Sequence, residues 1–530
     1  MRLLVTFLLL TTVSGVSGFD LDSLLIQSVG GSEAYQRIVR MKSAYSEGDL
    51  LLNGTPGTFV SIQAPPDLTY SRLQLGSLVM TEGYDGQVGW TADLAGNPVI
   101  MSDVQTMESL RNAYIPSYSY LVEGWIPGGK EYRGIIQSYD QQLHEVAFYP
   151  LHQDTIIAHF DTETGRMTDY QVTLDDLAAT ITLGDYQQVD GVWMPFYSRL
   201  EAEGGTLAIE QRARVCEFDR ELAPGQFSPP TTVYQAGFPE GQTSITAAID
   251  YRAGHIKLQA SVNGQKKGWF LLDTGAGATI IDAEFAADLN LPSAGSLPAK
   301  GATAYEQIEF VKIDSLLVGD LVLRDVKTGI SDLEPLRIHG PGDVRFGGVI
   351  GYDFISQFPI MIDYGRQLLT IYNPDKFIAP DSGYPIPFQF YSRVPIVKGE
   401  LLGIPTELLI DLGNPFGLIL HRPFVEKNNL TRRLSDISEA DKTFGGIGGS
   451  TQVRTAYVAS FKMGDILLTS IRAILPEEGE GVVESEMLGG NVGNLILDNF
   501  RVLFDYKDQK MILYASEKPV ESQNNTEATE

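Results

Sequence analysis

One cysteine, Cys216, stands in 530 residues, so no intrachain disulfide can form and no cysteine-built metal cage is expected. Basic residues are also scarce. Against 67 Asp and Glu there are 39 Lys and Arg, a formal net charge of -28, and no Lys/Arg run offsets it. Such a chain repels phosphate backbones and anionic headgroups, so nucleic acid is not an expected partner and the charge reads as solubility. The six histidines, His144, His152, His159, His255, His339 and His421, lack metal-ligand spacing, so no metal and no cofactor is expected. Also missing are a GxxxxGK[ST] loop, a GxSxG elbow and a strand-linked GxGxxG. Nowhere do about 18 apolar residues run uninterrupted, so no membrane span is expected.

What is present is strand-rich. The composition is 43% hydrophobic and 20% charged, with 54 Gly and 27 Pro among many β-branched and aromatic runs. The length suggests about three units plus extensions. Residues 1–18, MRLLVTFLLLTTVSGVSG, join Arg2 to a short apolar run and small residues, the pattern of a cleaved secretory signal. A secreted or periplasmic protein is the expectation, and the near absence of cysteine fits a periplasm as well as a secretory route. At the other end, residues 516–530 are polar and aperiodic, a tail without expected structure.

Residues 19–227 read as an α+β domain with one large antiparallel sheet. A helical stretch from Leu21 to Met41 is followed by strand-like runs such as Thr58–Gln63, His144–Phe148, Thr155–Phe160 and Ala178–Leu183. The segments GYDGQVGW (Gly83–Trp90) and YQQVDGVWMP (Tyr186–Pro195) resemble the outer-membrane lipoprotein-carrier fold, a curved sheet holding acyl chains. That resemblance implies lipid or lipoprotein as a ligand of this domain. Tyr84, Trp90 and Trp193 also read as ordinary core or rim aromatics, and the residues alone leave both readings open. A linker over residues 228–243 follows, opened by FSPPTT, where two prolines block both helix and ladder.

In GWFLLDTGAGATIID (Gly268–Asp282) an apolar strand runs into Asp273-Thr274-Gly275 and out into a second apolar strand. The acid therefore sits on a tight turn, where Gly275 allows close backbone approach and the Thr274 hydroxyl can stiffen the bend. Later comes FGGVIGYDF, with two apolar residues before Gly351. The order then repeats: TELLIDLGNPFGLIL carries Asp411 and Gly413, and GGNVGNLIL carries Gly493. Asp273 pairs with Asp411, Phe285 with Phe424, Gly319 with Gly464, Gly351 with Gly493 and Asp363 with Asp505, at offsets of 138, 139, 145, 142 and 142 residues. Five landmarks in one order at nearly constant offset mark a duplication.

The apolar-apolar-Asp-Thr-Gly strand with its later apolar-apolar-Gly brace resembles the retropepsin-like aspartic peptidases. The resemblance implies a mainly β chain: two tandem retropepsin-like β-barrel lobes, 244–380 and 381–515, forming a single-chain, monomeric pseudo-dimer behind the α+β domain. It implies catalysis by Asp273 and Asp411, on turns supported by Thr274, Gly275, Gly413, Gly351 and Gly493, and a peptide or protein substrate. Two carboxylates that share one proton can activate water and polarise a carbonyl at once. The resemblance also implies a flap in each lobe, KGATAYEQ with Gly301 and Tyr305, and FGGIGGST with Gly446 and Gly448. Tyr305 reads equally as an exposed loop residue.

Two positions depart from the motif. Leu412 stands where Thr or Ser is wanted, a loss of about 1 kcal/mol of hydrogen bonding unless Asn414 restores some of it. Ala276 offers Asp273 no hydroxyl, so that acid should titrate higher and the pH optimum should lie above that of stomach-type enzymes. The alternative reading is a non-catalytic peptide- or lipid-binding protein with a degenerate peptidase fold.

Overall fold

The computed structural model describes residues 19–516 apart from 139–140, 153–154, 175–176, 206, 233–235, 303, 338–343, 441, 447 and 478–480. The signal expected at 1–18 lies outside the described residues, as does the expected tail apart from Ser516. The chain is mainly β.

The first unit is a 13-stranded antiparallel sheet running from an edge at Pro98–Ile100 to the other at Gly128–Ser138. Its helices pack with residues 114–126 against the sheet in one apolar cluster that includes Leu25, Ile38, Tyr114, Phe148 and Phe160. The helical stretch expected over Leu21–Met41 is made of two helices, Leu21–Ser28 and Ser32–Val39. Gly30 and Gly31 take φ of 119° and 89°, left-handed backbone that ends one helix and starts the next. Trp90 is core, with its Nε1–H donating to the Phe227 carbonyl at 2.8 Å. The expected linker is not wholly irregular, since Ala236–Gly237 pairs with Val322 and Leu323 of the following unit.

Beyond it, one strand order occurs twice. In the first half the strands at 255–262, 266–272, 346–350, 280–282, 321–331, 305–318 and 293–300 are successive neighbours. In the second half 394–401, 404–410, 488–492, 418–420, 466–476, 449–463 and 442–446 repeat that order. In each half an additional pairing curls the sheet on itself, Ala260 with Val318 in one and Gly399 with Met463 in the other. Gly319 and Gly464, matched in the sequence, sit at φ of 59° and 58° in the same hairpin turn.

The halves are joined by a run of strands in the order 244–252, 368–372, 360–363, 500–505, 510–515 and 384–387. At its centre Ile360 faces Phe504 and Ile362 faces Val502. A single buried cluster runs through both halves, from Phe270, Leu272 and Ile350 to Ile410, Val492 and Phe504. The opposite faces of the same first-half strands present Leu271, Ile280 and Val349, which are buried in one cluster with Leu50, Leu75, Leu78 and Leu94 of the N-terminal unit. Side chains alternate across a strand, so one short β segment serves two cores. The N-terminal unit also touches the second half, where Ser102 N–H donates to the Phe390 carbonyl at 2.9 Å and Arg393 Nη2 to the Ala92 carbonyl at 3.0 Å.

Candidate active site

Each aspartate is placed by three strands. A feeding strand, Lys266–Leu272 or Ile404–Ile410, delivers the acid to a turn. A bracing strand, Phe346–Ile350 or Leu488–Val492, runs parallel to it. A leaving strand, Ile280–Asp282 or Leu418–Leu420, pairs antiparallel with the brace. The brace carbonyls then accept from the acids' own backbone: Asp273 N–H donates to Ile350 O at 3.0 Å and Asp411 N–H to Val492 O at 2.9 Å.

The glycines after the braces lie where no side chain fits. A methyl on Gly351 would stand 2.4 Å from Ala278 O and 2.6 Å from Ala276 O, and one on Gly493 would stand 2.3 Å from Phe416 O. Backbone packed that closely locks the loop behind each acid.

The two turns meet. Gly275 N–H donates to Asp273 Oδ1 at 2.7 Å, and Gly413 N–H donates to Asp411 Oδ1 at 2.9 Å and to Asp273 Oδ1 at 3.2 Å. A methyl on Gly275 would lie 2.7 Å from Asp411 Oδ1, and one on Gly413 would lie 2.5 Å from Asp273 Oδ2. Each carboxyl therefore lies against the glycine of the other turn, close enough for each acid to shift the titration of the other. Both aspartates keep a partly exposed surface, so the pair is not sealed in the core.

Thr274 and Leu412 are buried and unlike in their roles. The Thr274 hydroxyl donates to Ile410 O at 2.7 Å and accepts from Leu412 N–H at 3.0 Å, clamping the first turn to the second. Leu412 returns no such bond, but its carbonyl accepts from Asn494 Nδ2 at 2.6 Å, which also donates to Gly254 O at 2.8 Å. Asn414 bonds within its own turn, Oδ1 accepting from Phe416 N–H at 2.9 Å.

Burial pushes Asp273 well above the usual carboxylate range, the neighbouring Asp411 adds to this, and the two glycine N–H groups oppose it. Asp411 is raised too, again first by burial, but it has more donors working against the rise. Asn491 Nδ2 reaches Asp411 Oδ2 at 3.0 Å, and Asn414 N–H reaches Oδ1 at 3.1 Å beside that of Gly413. Two acids this close cannot both ionise readily, and the donor count leaves Asp411 the one that holds the charge more easily.

The two glycine-rich segments are hairpin tips, and they touch. Gly301 N–H donates to Ala304 O at 2.9 Å between strands Ser293–Lys300 and Tyr305–Val318. Across from it, a methyl on Gly446 would lie 2.7 Å from Ala302 Cβ, and one on Gly448 would lie 2.6 Å from Ala304 N. Val482 N–H completes the contact by donating to Gly301 O at 3.0 Å. Tyr305 begins its strand opposite Lys300, and its side chain lies outside the described residues, as do Thr303 and Ile447.

With this geometry in view, residues 258–354 match the aspartyl protease family model, a span that contains Asp273 and Gly351 and ends before Asp411. Among curated proteins none matches the sequence. Three solved structures are similar in part. An aspartic proteinase from Irpex lacteus is 11% identical over 53% of this chain and 100% of its own, with a TM-score of 0.37. A domain assigned to the outer membrane lipoprotein-sorting proteins of Vibrio parahaemolyticus is 11% identical over 37% of this chain and 94% of its own, with a TM-score of 0.28. A DUF1329 family protein from Desulfovibrio piger is 11% identical over 39% of this chain and 95% of its own, with a TM-score of 0.29.

Asn491, Asn494 and His421 were not singled out from the sequence. The signal was there for Asn491: it aligns with Val349 at the 142-residue offset, a polar residue in an otherwise apolar brace.

Proposed function

We propose that this chain is an exported aspartic endopeptidase, in which residues 244–380 and 381–515 are two retropepsin-like lobes of one monomeric pseudo-dimer behind the domain at 19–227. The observation that carries the reading is the meeting of the two turns, with Gly413 N–H bonded to the carboxylates of both halves. Ionised Asp411 takes a proton from water as the oxygen attacks the scissile carbonyl carbon. Asp273 gives its proton to the carbonyl oxygen, forming a tetrahedral diol. Collapse breaks the C–N bond as a proton passes to the leaving amine, and one of the pair is left protonated for the next turnover. This division of labour is the established behaviour of aspartic-protease dyads, and the unequal donors of the two acids support assigning it to them in this sense. The hairpin tips act as flaps over an extended peptide, excluding water when shut.

The binding-protein reading has one observation in its favour: Leu271, Ile280 and Val349, which flank the first turn, are buried with the N-terminal sheet. The test is a fluorogenic peptide library incubated with residues from Phe19 onward, from acid to neutral pH, in ¹⁸O-labelled water. Internal cleavage with one label in each new carboxyl terminus is expected. A folded chain that binds peptides and cuts none would give the lead to the binding reading.

A further inference from the structure

Asp411 has one contact that no turn backbone supplies. Its Oδ1 takes the N–H groups of Gly413 and Asn414, while Oδ2 takes Nδ2 of Asn491 at 3.0 Å. Asn491 lies in the second brace opposite Ile419, and its counterpart Val349 lies in the first brace opposite Ile280. A free amide has two orientations, and only one presents N–H to a carboxylate.

That orientation is held by a neighbour. Asn491 Oδ1 lies 2.8 Å from Nε2 of His421, whose side chain is 0% exposed. His421 precedes the helix Arg422–Lys427 without capping it, whereas the matching Asp282 caps its own helix by accepting from Phe285 N–H at 3.3 Å. The second half has exchanged a helix cap for a contact that leads to the acid.

We propose that Asn491 and His421 are positioning residues for Asp411, the imidazole Nε2–H fixing the amide so that its Nδ2–H holds Oδ2 of the carboxylate. Its kinetic consequence rests on the peptidase reading above. The chain of donors sets the tautomer: because Asn491 gives its N–H to Asp411, its oxygen faces His421, and Nε2 bears the proton. A bond donated to a carboxylate favours the ionised form, so this arm keeps Asp411 charged while Asp273 retains the shared proton. Among the described residues, Asp273 acts on Asp411, and the buried phenol of Tyr506 in turn senses the charge of Asp273.

Asn491→Val reproduces the first half's residue, His421→Leu removes the imidazole, and His421→Gln keeps an N–H that can reach the amide oxygen. The readouts are kcat/KM against pH, and the ¹³C titration of the Asp411 carboxyl in the full chain, assigned by its loss in Asp411→Asn. Asn491→Val is expected to raise the lower pKa of the dyad by about one unit, moving the acid limb upward and lowering kcat tenfold or more with little change in KM. His421→Leu should shift it the same way, and His421→Gln should restore it. A folded Asn491→Val whose Asp411 titrates as in the wild type overturns the proposal, and so does a His421→Gln no better than His421→Leu. If the wild type cuts no peptide, the carboxyl titration still decides the positioning role, separately from the peptidase reading.

Discussion

The N–H of Gly413 donates to Asp273 Oδ1 at 3.2 Å, so a backbone group of the second half binds the acid of the first. The Thr274 hydroxyl, 2.7 Å from Ile410 O, makes a bond in the opposite direction between the halves. Neither turn is complete alone. Their relative position is fixed by direct bonds rather than by the apolar core alone, which suits chemistry requiring two carboxyls at hydrogen-bonding range.

Thr274→Val should destabilise by about 2–4 kcal/mol, because it leaves Leu412 N–H and Ile410 C=O buried without this partner. Thr274→Ser keeps the hydroxyl and should cost less than about 1 kcal/mol. Urea unfolding of the full chain measures both. Equal losses would mean that the methyl, not the hydroxyl, matters.

Gly351→Ala forces a methyl to within 2.4 Å of Ala278 O and 2.6 Å of Ala276 O, backbone atoms that cannot swing aside. We expect a loss of about 2–4 kcal/mol, again by urea unfolding. A substitution tolerated within about 0.5 kcal/mol would show that the brace is not locked against the turn.

Asp353 is buried and its carboxyl is pushed up to about 7, first by burial, although it accepts from Thr279 N–H at 2.6 Å. Its pKa in the unfolded chain is near 3.8. Between these values the folded state holds a proton that the unfolded state has released, so this group's contribution is full at low pH and is lost as pH rises from about 4 through 7. Asp353→Asn should therefore flatten the fall in stability over that window, measured as unfolding midpoints at successive pH values. An unchanged slope would contradict the assignment.

The activity profile should lie higher on the pH scale than that of a stomach enzyme. Asp273 has two backbone donors and, with Ala276 beside it, no hydroxyl. A bell-shaped kcat/KM profile centred below about pH 4 would contradict this.

Much of this site was legible because a duplication repeats its errors and its rules together. Asp273, Gly319 and Gly351 each had a partner at nearly one offset, and the structure puts Gly319 and Gly464 in one backbone conformation. What stayed hidden depends on which way side chains point. Asn491 reaches Asp411 only because the register places it opposite Ile419, and register is set by pairings remote in sequence. His421 looked like one more histidine without ligand spacing. Helix Asp103–Ala113 was missed, although Ser102 caps it by accepting from Gln105 N–H at 3.3 Å. The packing of Leu50 and Leu75 on the first half was equally hidden, because an apolar face does not name its partner.

The most direct test of a dyad built from both halves is kcat/KM for Asp273→Asn, Asp411→Asn and the double variant, each shown to be folded. Groups that act as one unit are not additive. The account predicts that each single substitution abolishes cleavage and that the double variant is no worse. Retained activity in Asp411→Asn, or losses that multiply in the double variant, would contradict it.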